Sequence, residues 1–452
     1  MTAAVFVYYP ITMTGSWVDP PVRFQDPSTS GVSVTLSNDN TTAVVDATTS
    51  RDLVLDDRNA FIYDDFNTNP FTTGRVTVLG GTYNDQVRYV TGANPYVRFR
   101  RPSDGSYNLD HVLVYYQNNP TPVGARRIFL LAKSTRTSSA NGLWKGFFLF
   151  NSVSSELYYT YEFWDSSPGM TIVIVRPDAA GRLVTGGITD GGVQYIQWGV
   201  RDKVSGYMEH RIYSGTSLLS TISTTNNEFA NTPSYVGFGG ALEANERFNF
   251  DDFVACADAD PRFVNVTGLD LGWAVYLEDS GGAVLASATA GPDGVASLNV
   301  ITTPIVRNGY LRVMQGSTTI VPSKFFDVIV GGDVYRCISV LTDRNLLAYR
   351  NFDTKSYNVY LKLDSYSITG YVYSLNLWVS SGTGTTPIQF VNNINVTDTT
   401  STISLGSGAT NYIHGNATLT RSSTVVLTLS FHYYIPSSEV EVEYPVTVTI
   451  HG

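Results

Sequence analysis

Apolar and polar side chains alternate along most of this chain. In Val32-Ser33-Val34-Thr35-Leu36 every second position is apolar, Ser37-Asn38-Asp39-Asn40 interrupts, and Thr42-Ala43-Val44-Val45 resumes the pattern. A period of two sends successive side chains to opposite faces of a strand, so this stretch predicts a hairpin with one half-buried face. Further strand candidates, some alternating and some continuously apolar, occupy residues 75–79, 96–99, 111–116, 127–131, 146–150, 157–164, 171–175, 195–200, 208–213, 235–240 and 248–250. Turn residues lie between them, and no convincing helical period occurs anywhere. One phrase occurs twice: Asp64-Asp65-Phe66 follows Phe61-Ile62-Tyr63, and Asp251-Asp252-Phe253 follows Phe248-Asn249-Phe250. Each reads as a strand that bends at an acidic pair and then buries an aromatic. Matched phrases at the two ends of a strand-rich stretch predict that its first and last strands lie side by side.

At 452 residues the chain exceeds one ordinary core. The pattern divides it into an N-terminal β segment at 1–55, a large sandwich at 56–260, a small sandwich at 261–335 and a C-terminal sandwich at 336–452. The predicted fold class is therefore all-β, with tandem β-sandwich domains. Composition agrees with this. Charged residues are only 15% of the chain, and Ser, Thr, Asn, Gly and Tyr stand in their place. Such residues suit strands and turns and leave little for solvent-exposed helices. The net charge of −10 repels polyanions, and the short cluster Arg98-Phe99-Arg100-Arg101 reads as outward arginines on a strand, so no nucleic-acid partner is expected. No apolar stretch reaches membrane-spanning length, and no membrane insertion is expected. The opening residues lack a basic segment and a long apolar run, unlike an ordinary secretory signal. Cys256 and Cys337 could form one bridge or remain two buried thiols.

The order of elements in 56–260 resembles the concanavalin A-like, laminin-G-like jelly roll. The residues that carry the resemblance are Asp64-Asp65-Phe66, Tyr235-Val236-Gly237-Phe238-Gly239-Gly240 and Phe248-Asn249-Phe250-Asp251-Asp252-Phe253. It implies two packed antiparallel sheets, a concave face able to recognise glycans, and a calcium ion (Ca2+) held for structure. Residues 261–335, with Trp273-Ala274-Val275-Tyr276-Leu277 and Gly291-Pro292-Asp293-Gly294-Val295, are similar to immunoglobulin-like or carboxypeptidase-regulatory-like spacer modules. The lysine-poor, tyrosine-rich style resembles surface or virion proteins of thermophilic archaea and their viruses.

Three kinds of chemistry follow. If the two acidic phrases pair, Asp64, Asp65, Asp251 and Asp252 offer hard oxygens to Ca2+, although alternation turns one Asp of each pair inward. Aromatics at Tyr159, Tyr161, Trp164 and Trp198 are candidates to stack on sugar rings, against the general tendency of large aromatics to serve packing. The acids Glu156, Glu162 and Asp165 do not match the spacing of a glycosidase pair, and no nucleophile elbow, metalloprotease motif or phosphate loop occurs, so no enzyme is expected. Glu439, Glu441 and Glu443 alternate along one strand and read as a solvated face. The apolar run at 5–9 could complete a neighbour's sheet. The resulting expectation is a non-enzymatic structural or adhesion protein of an extracellular surface or virion. Its jelly roll would bind glycans, and its partners would be copies of itself or other surface proteins. A filament subunit built by strand donation and a carbohydrate-active enzyme are the alternatives.

Overall fold

The computed structural model describes residues 19–79, 86–92, 95–100, 112–136, 143–150, 157–165, 170–176, 181–188, 194–225, 235–241, 247–380, 385–390, 402–435 and 440–452. Among the described residues every regular element is a strand, and no helix is long and apolar enough to cross a membrane. The chain forms two compact units, one of Met1–Asp52 with Ile338–Gly452, the other of Leu53–Cys337.

The unit Leu53–Cys337 contains the predicted jelly roll. One sheet runs in the order Ser217–Thr225, Tyr207–Ser214, Gln194–Asp202, Arg127–Arg136, Arg247–Ala257, Tyr96–Arg100 and Val87–Val90. The other runs Gly181–Ile188, Met170–Arg176, Leu157–Asp165, Leu143–Phe150, Tyr235–Ala241, Val112–Tyr115 and Thr77–Leu79. Ala60–Asp64 pairs antiparallel with Arg247–Ala257, with Asp64 opposite Phe253, so the two acidic phrases do lie on neighbouring strands. Between the sheets sits an aromatic core in which Phe238 contacts Phe250 at 4.8 Å and Phe253 at 5.1 Å, while Phe99 stacks on Phe248. The glycines of the phrase at 235–240 are explained by close approach. A Cβ on Gly237 would meet the Val114 carbonyl at 2.4 Å, and one on Gly239 the Val112 carbonyl at 2.1 Å.

Alternation holds through most of this sheet and fails at one place with consequences. Phe250 and Phe253 are three residues apart, yet both are fully buried in the same core. A regular strand would send them to opposite faces. The register resolves the conflict: Ala132 faces Phe253 and Ser134 faces Phe250, so Lys133 stands opposite both Asp251 and Asp252. This β-bulge gives one strand an extra residue and returns both phenylalanines to the core. It also corrects the expectation that one of these two carboxylates turns inward, since Asp251 and Asp252 line the same cleft.

A second apolar layer covers the other face of the same sheet. Leu131, Trp198, Val200 and Val254 point away from the aromatic core and pack with Ile301, Ile305 and Val330 of the following module. That explains why Gln194–Asp202 is buried at every position after the first rather than at alternate ones. The module at 261–335 is itself a sandwich. Val284–Thr289, Ala274–Glu278, Ile305–Gln315 and Thr318–Val330 form one sheet, and Phe263–Thr267 pairs with Ala296–Asn299 and, in parallel, with residues 334–336. Its core includes Val264, Trp273, Leu277, Leu311 and Tyr335. Cys256 and Cys337 are both free and buried, in separate apolar clusters, and the Cys256 thiol donates to the Gly331 carbonyl at 3.2 Å.

The other unit joins the two ends of the described chain. The predicted hairpin forms, with Val32–Leu36 antiparallel to Ala43–Thr48. Ala43–Thr48 then pairs in parallel with Val440–His451, beside Thr424–Ile435 and Tyr357–Thr369. Phe24, Val45, Leu361, Leu377, Phe431 and Val448 share one core, so the N-terminal segment folds as part of the C-terminal sandwich. Glu441 and Glu443 lie exposed at alternate positions, on the solvated face expected, and each also accepts hydrogen bonds from its neighbours. Glu441 lies 2.7 Å from His432 Nδ1 and accepts from the Tyr360 hydroxyl, while Glu443 accepts from Ser430 at 2.7 Å. Glu439 and the apolar run at 5–9 lie outside the described residues.

Candidate functional site in the jelly-roll unit

The four aspartates predicted to hold calcium are divided by the sheet. Asp64 is 1% exposed and faces the aromatic core. It accepts from the Phe66 amide at 2.9 Å and the Tyr116 hydroxyl at 3.0 Å, with Arg75 at 3.3 Å. Burial raises its pKa, and the same burial pushes the Tyr116 phenol well above its ordinary value. Asp65, Asp251 and Asp252 line a cleft of about 390 Å³ on the opposite side. Two cations already answer them: Arg307 Nη2 reaches Asp65 at 3.0 Å, and Lys133 reaches Asp252 at 2.7 Å. Burial, then Arg307 and Asn67 acting against it, leave Asp65 below the usual carboxylate range. Burial raises Asp252, and burial with the neighbouring Asp252 charge raises Asp251. Among the described residues no three acidic, His or Cys side chains gather closely enough to hold a metal ion. The residues present therefore do not fit the expected calcium site: Asp64 is on the wrong face, Asp65 and Asp252 are met by guanidinium and ammonium groups, and Asp251 accepts from the Thr135 hydroxyl at 3.4 Å.

A larger pocket, about 550 Å³, opens at the end of the same sheet, where the jelly roll passes into the next module. Trp198 lies at its base. Its indole N–H donates to Asp260 at 2.9 Å, and the guanidinium groups of Arg262 and Arg211 stand 4.4 Å and 4.8 Å from its ring. Such cation–π contacts are favourable and hold both arginines in place. With 3% exposure the indole offers no open face for a sugar ring, so its part is to position its neighbours. The aromatic at the rim is Tyr207, whose hydroxyl donates to Glu209 at 2.8 Å.

Four carboxylates surround this floor, and each is already served. Asp202 accepts from Arg127 Nε at 2.9 Å, Arg126 Nε at 3.1 Å and the amides of Val204 and Ser205. Burial opposes its ionisation, but Arg127 and the two amides outweigh it and hold its pKa at about 2. Asp258, itself at φ 58°, accepts from the amides of Arg126 and Arg127. Asp260 is clamped by Arg262, whose Nη1 also donates to Tyr213 at 2.6 Å. Glu209 takes Arg211 Nε at 2.6 Å and the Thr221 hydroxyl at 3.1 Å; these with Tyr207 overcome burial and bring its pKa below the ordinary value. Alternation explains the array, because Tyr207, Glu209, Arg211 and Tyr213 are every second residue of one strand, opposite Trp198, Val200 and their neighbours on the next.

Of the aromatics singled out from the sequence, Trp198 enters this pocket. Tyr159, Tyr161 and Trp164 belong to Leu157–Asp165 but lie outside the residues whose side chains are described. The sequence reading missed Arg126, Arg127, Asp202, Glu209 and Asp258. The signal that pointed toward them is Asp258-Ala259-Asp260-Pro261-Arg262, an acidic turn directly after the last jelly-roll strand.

No protein-family model and no curated protein matches the chain. Among solved structures it is similar to the seed lectin of Lotus tetragonolobus, at 13% identity over 40% of this chain and 92% of that one, with a TM-score of 0.30. It is similar to the legume lectin-like domain from Entamoeba histolytica, at 8% identity over 44% of this chain and 97% of that one, TM-score 0.32. A third likeness is to the CBM2 module of the evolved Dit of Lactobacillus casei BL23 phage J-1, at 13% identity over 47% of this chain and 99% of that one, TM-score 0.30.

Proposed function

We propose that this chain is a non-enzymatic recognition protein of an exterior surface, cellular or viral, and that its jelly roll binds a glycan in the pocket beside Trp198. The flanking sandwiches serve as spacers and as contacts for assembly. The observation that carries the reading is the make-up of the pocket: a concavity of about 550 Å³ at a module junction, with Tyr207 and Ser205 at its rim and a planar lattice of arginines and carboxylates as its wall. Volume and position are those of small-ligand sites, and fixed planar hydrogen-bonding groups beside an aromatic ring suit a polyhydroxylated ligand. Binding is favoured over hydrolysis by the protonation of the acids. A glycosidase needs a carboxylic acid held protonated near neutral pH, whereas Asp202 sits at about 2 and Glu209 below its usual value. The charge-poor, Ser-, Thr- and Asn-rich composition supports exterior placement.

The test is a glycan array with the full chain, followed by calorimetry on any hit. Tyr207→Ala is expected to weaken binding about tenfold, or about 1.4 kcal/mol, without lowering the melting temperature of the jelly roll by more than a few degrees. A hit whose affinity is indifferent to Tyr207→Ala would place recognition elsewhere and reject this pocket.

A further inference from the structure

We propose that the ligand of this pocket is an acidic saccharide, and that Arg126 and Arg127 grip its carboxylate; this rests on reading the pocket as a glycan site. The argument is a count of unused hydrogen-bonding capacity. Each of the four carboxylates at the pocket already accepts from two or more donors. Arg262 is consumed by Asp260 and Tyr213, and Arg211 is engaged with Glu209.

Arg126 and Arg127 differ. Both turn Nε to Asp202, at 3.1 Å and 2.9 Å. Among the described residues neither of their Nη forks has an acceptor. Their side chains are 56% and 50% exposed, and both line the pocket. The unmet capacity is therefore of the donor kind, in two adjacent planar forks fixed at their Nε ends by one buried acid. A planar fork matches a carboxylate through two parallel N–H···O bonds, better than a lysine would.

Charge does not forbid an anion here. Arg126, Arg127, Arg211 and Arg262 balance Asp202, Glu209, Asp258 and Asp260 locally, although the chain as a whole carries −10. Asp202, held at about 2, stays ionised at any physiological pH and keeps both forks oriented. Selectivity follows: a neutral sugar leaves the forks to water, and an acidic one replaces that water with charge-assisted bonds.

The experiment titrates the full chain with oligogalacturonate, with a neutral galactan oligomer of equal length, and with the sulfated galactan. The double variant Arg126→Gln/Arg127→Gln is compared with the parent, its fold checked by melting. The expected result is oligogalacturonate binding at least about tenfold tighter than the neutral oligomer, weakening as salt rises. The double variant loses about ten- to a hundredfold in affinity for oligogalacturonate, well beyond its loss for the neutral oligomer, so the preference for the acidic chain disappears. Arg126→Lys/Arg127→Lys, which keeps charge but not the fork, is expected to recover only part of the loss. Preference for the sulfated oligomer overturns the carboxylate assignment. Equal binding of neutral and acidic oligomers, lost on Tyr207→Ala but not in the double variant, overturns the inference and leaves the glycan site standing. If the double variant melts with the parent yet no saccharide of any class binds the parent, both fall.

Discussion

Asp202 concentrates the electrostatics of the pocket in one side chain. Two guanidinium groups and two backbone amides converge on it, and they hold the folded carboxyl at about 2 against an ordinary value of 3.8. A depressed pKa means that the folded state releases this proton more readily than the unfolded chain. Its stabilisation is therefore complete above about pH 4 and lost as pH falls through about 2. Asp202→Asn is expected to cost about 1–3 kcal/mol at neutral pH, the cost of charge-assisted bonds left unmade. Denaturant melts of the parent and the variant should converge near pH 2; a gap of constant size from pH 7 to 2 would show that the Asp202 charge is not what holds the pocket together. Asp64 has the opposite sign. Burial raises it, so what it contributes is present below pH 3.8 and is lost as pH rises through its folded value. The sequence marks Asp64 by its repeated phrase and leaves Asp202 unmarked, and in neither case does it declare the donors that the fold brings to the carboxylate, which set the sign of each shift.

The strand Arg247–Ala257 shows what an element's sequence does and does not declare. That it pairs with Ala60–Asp64 was legible from the repeated acidic phrase, and the strands on either side were legible from alternation. The bulge was not, because a period-two reading assigns Asp251 and Asp252 to opposite faces, and only the packing demand of Phe250 and Phe253 reverses this. Burying both phenylalanines outweighs one broken rung of the ladder, since leaving a phenylalanine exposed rather than buried forgoes about 1.5–3 kcal/mol, against about 0.5–1.5 kcal/mol for one hydrogen bond. The pocket was illegible for a related reason: Arg126, Asp202, Glu209 and Asp258 come from separate strand ends, and their distances along the chain form no motif. The bulge makes an unusual prediction. Deleting Asp251 leaves Phe250, Asp252 and Phe253 in regular alternation against Ser134, Lys133 and Ala132, so the core keeps both rings. The shortened protein is expected to fold and to melt within several degrees of the parent. Deleting Val254, which stands in regular register opposite both Leu131 and Tyr63, reverses the faces of every residue up to one strand end and should abolish folding. Equal damage from the two deletions, measured by soluble yield and thermal melting, would refute this account of the strand.

At the scale of the molecule, one compact unit is continuous in sequence and the other is assembled from the two flanks. The continuous unit has its ends side by side: Ser50–Arg58 pairs with Asp333–Asn351, and Arg336 reaches Asp56 at 2.6 Å. Residues 53–337 expressed alone are therefore expected to fold cooperatively and to retain the pocket with its ligand affinity. A fragment that remains unfolded, by near-ultraviolet circular dichroism and proteolysis, would show that this unit depends on the flanking sequence. The flank-built unit has a different relation to time. Thr49 bonds to the carbonyl of His451 across a sequence separation of 402, and the parallel rung from Ala43 to Val446 spans a comparable stretch. At about 5–20 residues per second on the ribosome, the hairpin at 32–48 waits roughly 20–80 s for the strand that covers its edge. Through that interval it is an unclosed half of a sandwich, open to strand pairing with other chains. Completion of this sandwich thus reports that translation has reached the far end of the fold, and a chain cut short before residue 440 betrays itself by an exposed edge.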